Sequence, residues 1–212
     1  MENLRCRNIE TFEITKDIIS KEIGNIKKQY DELEELFEKN KIPGCMQINT
    51  SIDKLKQIKY HKLYPDLVSK YEWLGKYCGK TIYIFSVNNF PFEKEETKKI
   101  FEEVKNEKQV LLCRINEDSP EWEKVQSDRT VCLYVGSSND IRQRLKEHLF
   151  LCKSNTYAMH LEKWFKTDLT FTIATWGFND FLTTEKNAEH LQNIEDILWS
   201  HYKPLLGKQG KK

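Results

Sequence analysis

The sequence predicts an α+β module: a small, mainly antiparallel sheet of three to four strands flanked by helices, with a helical N-terminal region. Three observations predict it. Short runs rich in β-branched and aromatic residues stand at 80–88, 110–116, 131–135 and 169–178, a composition suited to a pleated, half-buried surface. At 17–40, 66–77, 93–106 and 187–202 apolar residues recur every three to four positions, the period of a helix with one buried face. Pro43-Gly44, Pro91 and a polar stretch ending at Thr130 separate segments of the two kinds, as turn-forming residues do.

In chain order, Ile19, Ile23, Ile26, Tyr30, Leu33 and Phe37 alternate steps of four and three. That is an amphipathic helix of coiled-coil type, expected to pack on the domain or on a second copy. Lys54, Lys56, Lys59 and Lys62 follow, interleaved with Tyr60, His61 and Tyr64. Such a mixture suits a nucleic-acid backbone, but the spacing defines no single helical side and reads first as a solvated face. A helix at 66–77 with Leu67, Tyr71 and Leu74 inward completes a helical region over 1–78. The remainder, 79–212, reads as one domain. Its first strand, 80–88, precedes a helix carrying Ile100, Phe101 and Val104. A second strand at 110–116 and a polar loop follow. The apolar strand at 131–135 closes on a turn at Gly136. Ser137, Ser138, Asn139 and Asp140 are helix-capping residue types, and Ile141, Leu145 and Leu149 then recur every four residues. Tyr157, Leu161 and Trp164 predict a further helix at 155–165, with His160 beside them. The run 169–178 alternates as a strand. The last helix carries Leu191, Ile194, Leu198 and Tyr202 inward, with Glu195 beside that stripe.

The totals bound the function. Hydrophobic residues make up 39% of the 212, enough for a packed core, but 34 Lys and Arg stand against 33 Asp and Glu. No global basic field exists, so any nucleic-acid surface is a local patch. The six cysteines, Cys6, Cys45, Cys78, Cys113, Cys132 and Cys152, form no Cys-x-x-Cys knuckle. They read as buried, reduced thiols of a cytoplasmic protein. The N-terminus is polar and no apolar run approaches the ~18 residues of a membrane span, so no membrane partner is expected.

One constellation carries chemistry. Tyr134 ends a strand, Gly136 follows, and Arg144 and His148 sit four apart on a capped helix, roughly 5–6 Å apart at Cβ. Tyr134-Val135-Gly136 with this Arg and His resembles the second half of the GIY-YIG nuclease module. That family includes homing endonucleases, some restriction enzymes and the incision subunit of bacterial excision repair. Thr81-Ile82-Tyr83 is similar to the GIY tripeptide, with Thr for Gly. The family's last helix carries one metal-binding glutamate ahead of a proline-containing tail, and Glu195 followed by Pro204-Leu205-Leu206-Gly207 has that layout. Gly207 stands where the family often has Asn. The resemblance covers about 80–210. The two tripeptides are usually joined by a short hairpin. Here either an excursion at about 89–128 is inserted, or the 110–116 strand replaces the first strand and its tyrosine is lost. The match at Tyr83 favours the insertion.

The resemblance implies a metal-dependent endonuclease hydrolysing DNA phosphodiester bonds. It assigns catalysis to Tyr83, Tyr134, Arg144, His148 and Glu195, with Mg²⁺ or Mn²⁺ on Glu195. Gly136, Ser137, Ser138, Arg142, Tyr157, His160 and Lys208 are expected at phosphate or DNA. In the implied reaction Arg144 grips phosphate as a planar charged fork. Tyr83 passes a proton from the attacking water towards His148, and Tyr134 orients water or phosphate. DNA is the expected partner, and a homodimer would turn two nicks into a double-strand break. The alternative is a catalytically inactive, GIY-YIG-like nucleic-acid-binding module. A third reading is a protein-interaction module built on the helix at 19–37.

Overall fold

A computed structural model describes residues 16–39, 46–57, 79–108, 110–127, 129–150, 156–165, 168–178, 182 and 188–210. The chain divides into two units, 1–42 and 43–212. The described part of the first is one helix, α1 (Lys16–Lys39), as its heptad-like pattern predicts.

The second unit is α+β. Its four strands, β1 (Met46–Ser51), β2 (Thr81–Asn88), β3 (Thr130–Ser138) and β4 (Thr170–Gly177), form one sheet in the order β1-β4-β2-β3. Every neighbouring pair is antiparallel. The described helices are α2 (Ile52–Gln57), α3 (Lys94–Lys108), α4 (Ile141–Leu149) and α5 (Ala188–Tyr202). β4 shows why the strands form: Phe171, Ile173 and Thr175 are buried while the residues between them are more exposed, the alternation a pleat imposes. Tyr83, Phe85 and Val87 of β2 and Phe171 and Ile173 of β4 join Ile141, Leu145 and Leu149 of α4 and Phe101 and Val104 of α3 in one core. On the opposite face Ile84, Cys132 and Val135 meet Leu198 and Trp199 of α5. The sheet is thus the middle of three layers. Each large apolar side chain so buried contributes about 1.5–3 kcal/mol.

Five local expectations are corrected. A strand, β1, stands within the region read as helical, and it pairs with β4 from Met46 to Ser51. Its alternation is real but short: Ile48 and Thr50 are buried, Gln47 and Asn49 exposed. Residues 46–57 therefore belong with the sheet. The stretch 110–116 is no strand. Among the described residues it makes single bridges, Leu112 to Ala158 and Ile115 to Leu206, and its adjacent residues Leu112 and Cys113 are both buried, which the alternation of a pleated strand does not give. The region 156–165 is no helix but an extended segment and one 3-10 turn at Leu161–Lys163. Its backbone donors are used elsewhere: Ala158 N–H bonds to Leu111 O and Met159 N–H to His148 Nδ1. Gly136 is no turn, since β3 runs on to Ser138. Tyr202 is 39% exposed and does not extend the buried stripe of α5. The helix expected at 66–77 and the lysine-rich stretch beyond Gln57 lie outside the described residues.

Candidate functional site

The site is built on a defect in β3. Val131 stands opposite Val87 and Cys132 opposite Ser86, but Tyr134, not Leu133, stands opposite Phe85. The extra residue is a β-bulge, and side chains change face across it. In unbroken register Tyr134 would oppose Ile84, on the face that packs towards α5. The bulge turns it instead onto the face of Tyr83. The two rings lie nearly parallel, 12° apart, with centroids separated by 6.1 Å. Gly136 stands opposite Tyr83. A Cβ there would come within 2.5 Å of Tyr83 Oη and 2.7 Å of Tyr134 Cε1. Only a glycine leaves room for both rings. The other edge of Tyr134 rests against Gly207, where a Cβ would lie 3.1 Å from Cε2 and φ is +100°.

Arg144 reaches this pair from α4. Asp140 starts that helix by accepting the Gln143 N–H at 3.0 Å, and the buried stripe Ile141, Leu145, Leu149 fixes its rotation. Arg144 donates from Nε to Tyr83 Oη at 3.2 Å. From Nη2 it donates to Tyr134 Oη at 3.4 Å and to the Tyr157 carbonyl at 2.9 Å. Nη1 pairs with Glu147 at 2.9 Å. Burial pulls the guanidinium pKa down, but the two phenols and Glu147 outweigh it and the net shift is upward. Arg144 stays charged.

His148 is fully buried. Its Nδ1 accepts the Met159 N–H at 3.2 Å, so the neutral ring carries its proton on Nε2. Nε2 lies 3.0 Å from Tyr83 Oη and donates to it. Burial first, then Arg144 and His160, hold the imidazole pKa well below its usual value. The ring is therefore neutral, with one nitrogen donating and the other accepting. In this arrangement the Nε2 hydrogen points at Tyr83, so the hydrogen bond runs from His148 to the phenol. Tyr83 itself is 0% exposed. Burial, with Tyr134 adding, raises its pKa well above that of an ordinary phenol against the pull of Arg144. Burial pushes Tyr134 up to about 12, again opposed by Arg144. Both are phenols at neutral pH.

Glu195 comes from the other helix layer. Ser137 stands opposite Ile82, one residue past Gly136, and so faces α5. Its hydroxyl donates to Glu195 Oε2. Burial raises the Glu195 carboxyl pKa, with the Ser137 bond opposing and Asp196 adding. The carboxylate charge raises both phenols, and Arg144 lowers the Glu195 carboxyl in turn. Arg144 is the one charge that the other four all feel, and Glu195 stands apart from them on the α5 side, bonded to Ser137.

The outlying candidates divide. Ser138 Oγ accepts the Asp140 N–H at 3.0 Å and belongs to the turn into α4. Arg142 lies half-buried on α4. His160, expected at DNA, is 1% exposed with φ +47°. Its Nδ1 bonds the Phe150 carbonyl, so it cannot touch a ligand at the surface. Tyr157 is 60% exposed. Lys208 is exposed and lines a cleft of about 420 Å³ with Arg114, Asn116, Trp199 and Gly207. Sequence reasoning missed Glu147, although Arg and Glu three apart on a helix are a legible pair. It also missed Met159, whose N–H sets the His148 tautomer and leaves no trace in residue type.

Among the described residues no three His, Cys, Asp or Glu side chains gather into a metal cage. One carboxylate beside one hydroxyl fits a hard divalent ion that keeps most of its water, as Mg²⁺ does. No described helix is long and apolar enough to cross a membrane. No family model, curated protein or solved structure matches the chain, so the chemistry of these side chains carries the assignment.

Proposed function

We propose that this chain is a metal-dependent endonuclease that hydrolyses DNA phosphodiester bonds on a module resembling the GIY-YIG nucleases. One observation carries the reading. A guanidinium from α4 bonds two tyrosines that a bulge brings onto one face. Arg144 supplies a charged fork for the scissile phosphate. Glu195 would hold a Mg²⁺ or Mn²⁺ ion, which when bound would supply charge relief at that phosphate and at the leaving oxygen. Tyr134, at 9% exposure, orients the attacking water. Tyr83 and His148 have no surface, so they act by holding Arg144 and Tyr134 in place. The substrate phosphate exchanges for the Glu147 and Tyr157 contacts of Arg144.

The burial of Tyr83 and His148 favours a second reading, a nucleic-acid-binding module that has lost cleavage. One assay separates the two. Supercoiled plasmid incubated with Mg²⁺ or Mn²⁺ is expected to be nicked, with at least a hundredfold loss in Glu195→Ala and Arg144→Ala. Nicking unchanged in Glu195→Ala would remove the assignment. Salt-sensitive binding without nicking by the intact protein selects the second reading.

A further inference from the structure

Residues 157–160 are among the most firmly tied non-helical backbone near the site. Ala158 N–H bonds the Leu111 carbonyl at 3.1 Å, and the Ala158 carbonyl accepts the Cys113 N–H at 2.9 Å. Met159 N–H is held by His148, and His160 Nδ1 by Phe150. The Tyr157 carbonyl accepts from Arg144. Ala158, Met159 and His160 are buried to 1% exposure or less, yet Tyr157 at the head of this segment is 60% exposed. Few large apolar side chains of the described residues are left so open: the others are Leu111, Ile197 and Tyr202, at 39–41%.

We propose that Tyr157 is a stacking platform for an unpaired nucleobase, so that the DNA taken by this site is single-stranded at or beside the cut. The inference rests on the proposed function and names its substrate class. Three physical points support it. In the free protein Arg144 bonds the Tyr157 carbonyl at 2.9 Å, so the ring belongs to the residue whose contact the phosphate replaces, and the Ala158 and Met159 bonds keep that residue in place when it does. The backbone beneath the ring is already ordered, so stacking costs little further entropy. A base inside a duplex has both faces covered, and only an extrahelical or single-stranded base offers one to a protein ring. The cleft beyond Gly207 carries Arg114 and Lys208 but also Glu117 and Asp118, so its charge is balanced and the stacking ring, not a cationic groove, carries the inference.

The test uses the full chain with Ca²⁺ in place of Mg²⁺ to prevent cleavage. The probes are a single-stranded oligonucleotide carrying 2-aminopurine, a 5′ flap and a blunt duplex of the same sequence. The intact protein is expected to bind the first two at least tenfold more tightly than the duplex and to change the 2-aminopurine fluorescence. Tyr157→Ala should lose about tenfold or more on single strands, the scale of one stacked base, and abolish the fluorescence change. Its loss on the duplex should be within twofold. Tyr157→Phe should recover most of the loss. Equal binding of all three probes, or equal losses in Tyr157→Ala, overturns the proposal. Loss of all binding in Arg144→Ala with no effect of Tyr157→Ala keeps the nuclease reading and removes this inference. No binding to any probe removes both. Unchanged melting temperatures in the variants tie the losses to the ring.

Discussion

Gly136 shows how little tolerance the site has. The position lies in mid-strand, where glycine is usually a weakness. Here the missing Cβ is the space in which Tyr83 and Tyr134 meet. Gly136→Ala forces a methyl group to within 2.7 Å of both rings, and neither buried ring can swing clear. Overpacking of this kind costs about 1–3 kcal/mol. The expected result is a melting temperature lower by about 2–4 °C per kcal/mol for a chain of this size, with DNA binding lost even where the protein stays folded. An alanine variant that melts and binds as the parent does would mean the rings are not held as described. Arg144 is the complementary case. Its charge is legible in the sequence, and so is its pairing with Glu147 three residues on; the bonds to Tyr83, Tyr134 and the Tyr157 carbonyl join segments whose meeting only the fold shows.

At the scale of elements, β3 is an edge strand whose free side is covered. The bulge takes part of its backbone out of the ladder with β2, and other segments answer it. The Cys132 N–H donates to the buried Glu121 carboxylate at 2.7 Å. The carbonyls of Cys132 and Leu133 accept from Leu205 and Leu206 at 3.0 and 2.9 Å. The excursion after β2 and the tail after α5 therefore protect an edge that would otherwise be open to pairing, and they brace the turn that aims Tyr134. Glu121→Ala leaves a buried N–H without an acceptor, a cost of about 1–3 kcal/mol. It should lower the denaturant midpoint and, by loosening the bulge, weaken DNA binding. Glu121→Gln, which keeps an acceptor oxygen, should do much less. Equal effects of the two would refute the edge role. None of this shows in the sequence, where residues 117–129 read only as a polar loop. The strands and helices legible in the sequence, β2, β3, β4, α1, α3, α4 and α5, carry apolar runs or periods long enough to read. β1 was missed because Ile48 is the one apolar side chain among its described buried positions, the others being Thr50 and Ser51, which is too little to set an apolar period. The segment at 155–165 misled for the opposite reason. Tyr157, Leu161 and Trp164 have helical spacing, but the hydrogen bonds of Ala158 and Met159 overrule it.

Across the whole molecule, the polar groups at the centre tie stability to pH. Nearly everything that tightens the site also hides a titratable group: His148 and Tyr83 have no exposed surface. The two set opposite limbs. His148 is held neutral in the folded protein, its pKa well below the usual value, while in the unfolded chain it takes up a proton near pH 6.5. Below that pH the unfolded state binds a proton that the folded state refuses, so stability falls with acidification. One such proton changes stability by about 1.4 kcal/mol per pH unit. The raised phenol of Tyr83 works the other way. Above about pH 10 the unfolded chain loses a proton that the fold retains, and stability falls as pH rises. The expected profile is a plateau between these values. The imidazole contribution is isolated by comparing the parent with His148→Asn from pH 7.5 to 5. The variant starts less stable, because the Tyr83 and Met159 bonds are disturbed, and the gap in unfolding free energy should narrow as pH falls below about 6.5. A gap that stays constant across that range would show that His148 takes up its proton as readily in the fold as outside it. The tautomer that places its Nε2 hydrogen on Tyr83 would then be wrong, and with it the account of how Arg144 is held.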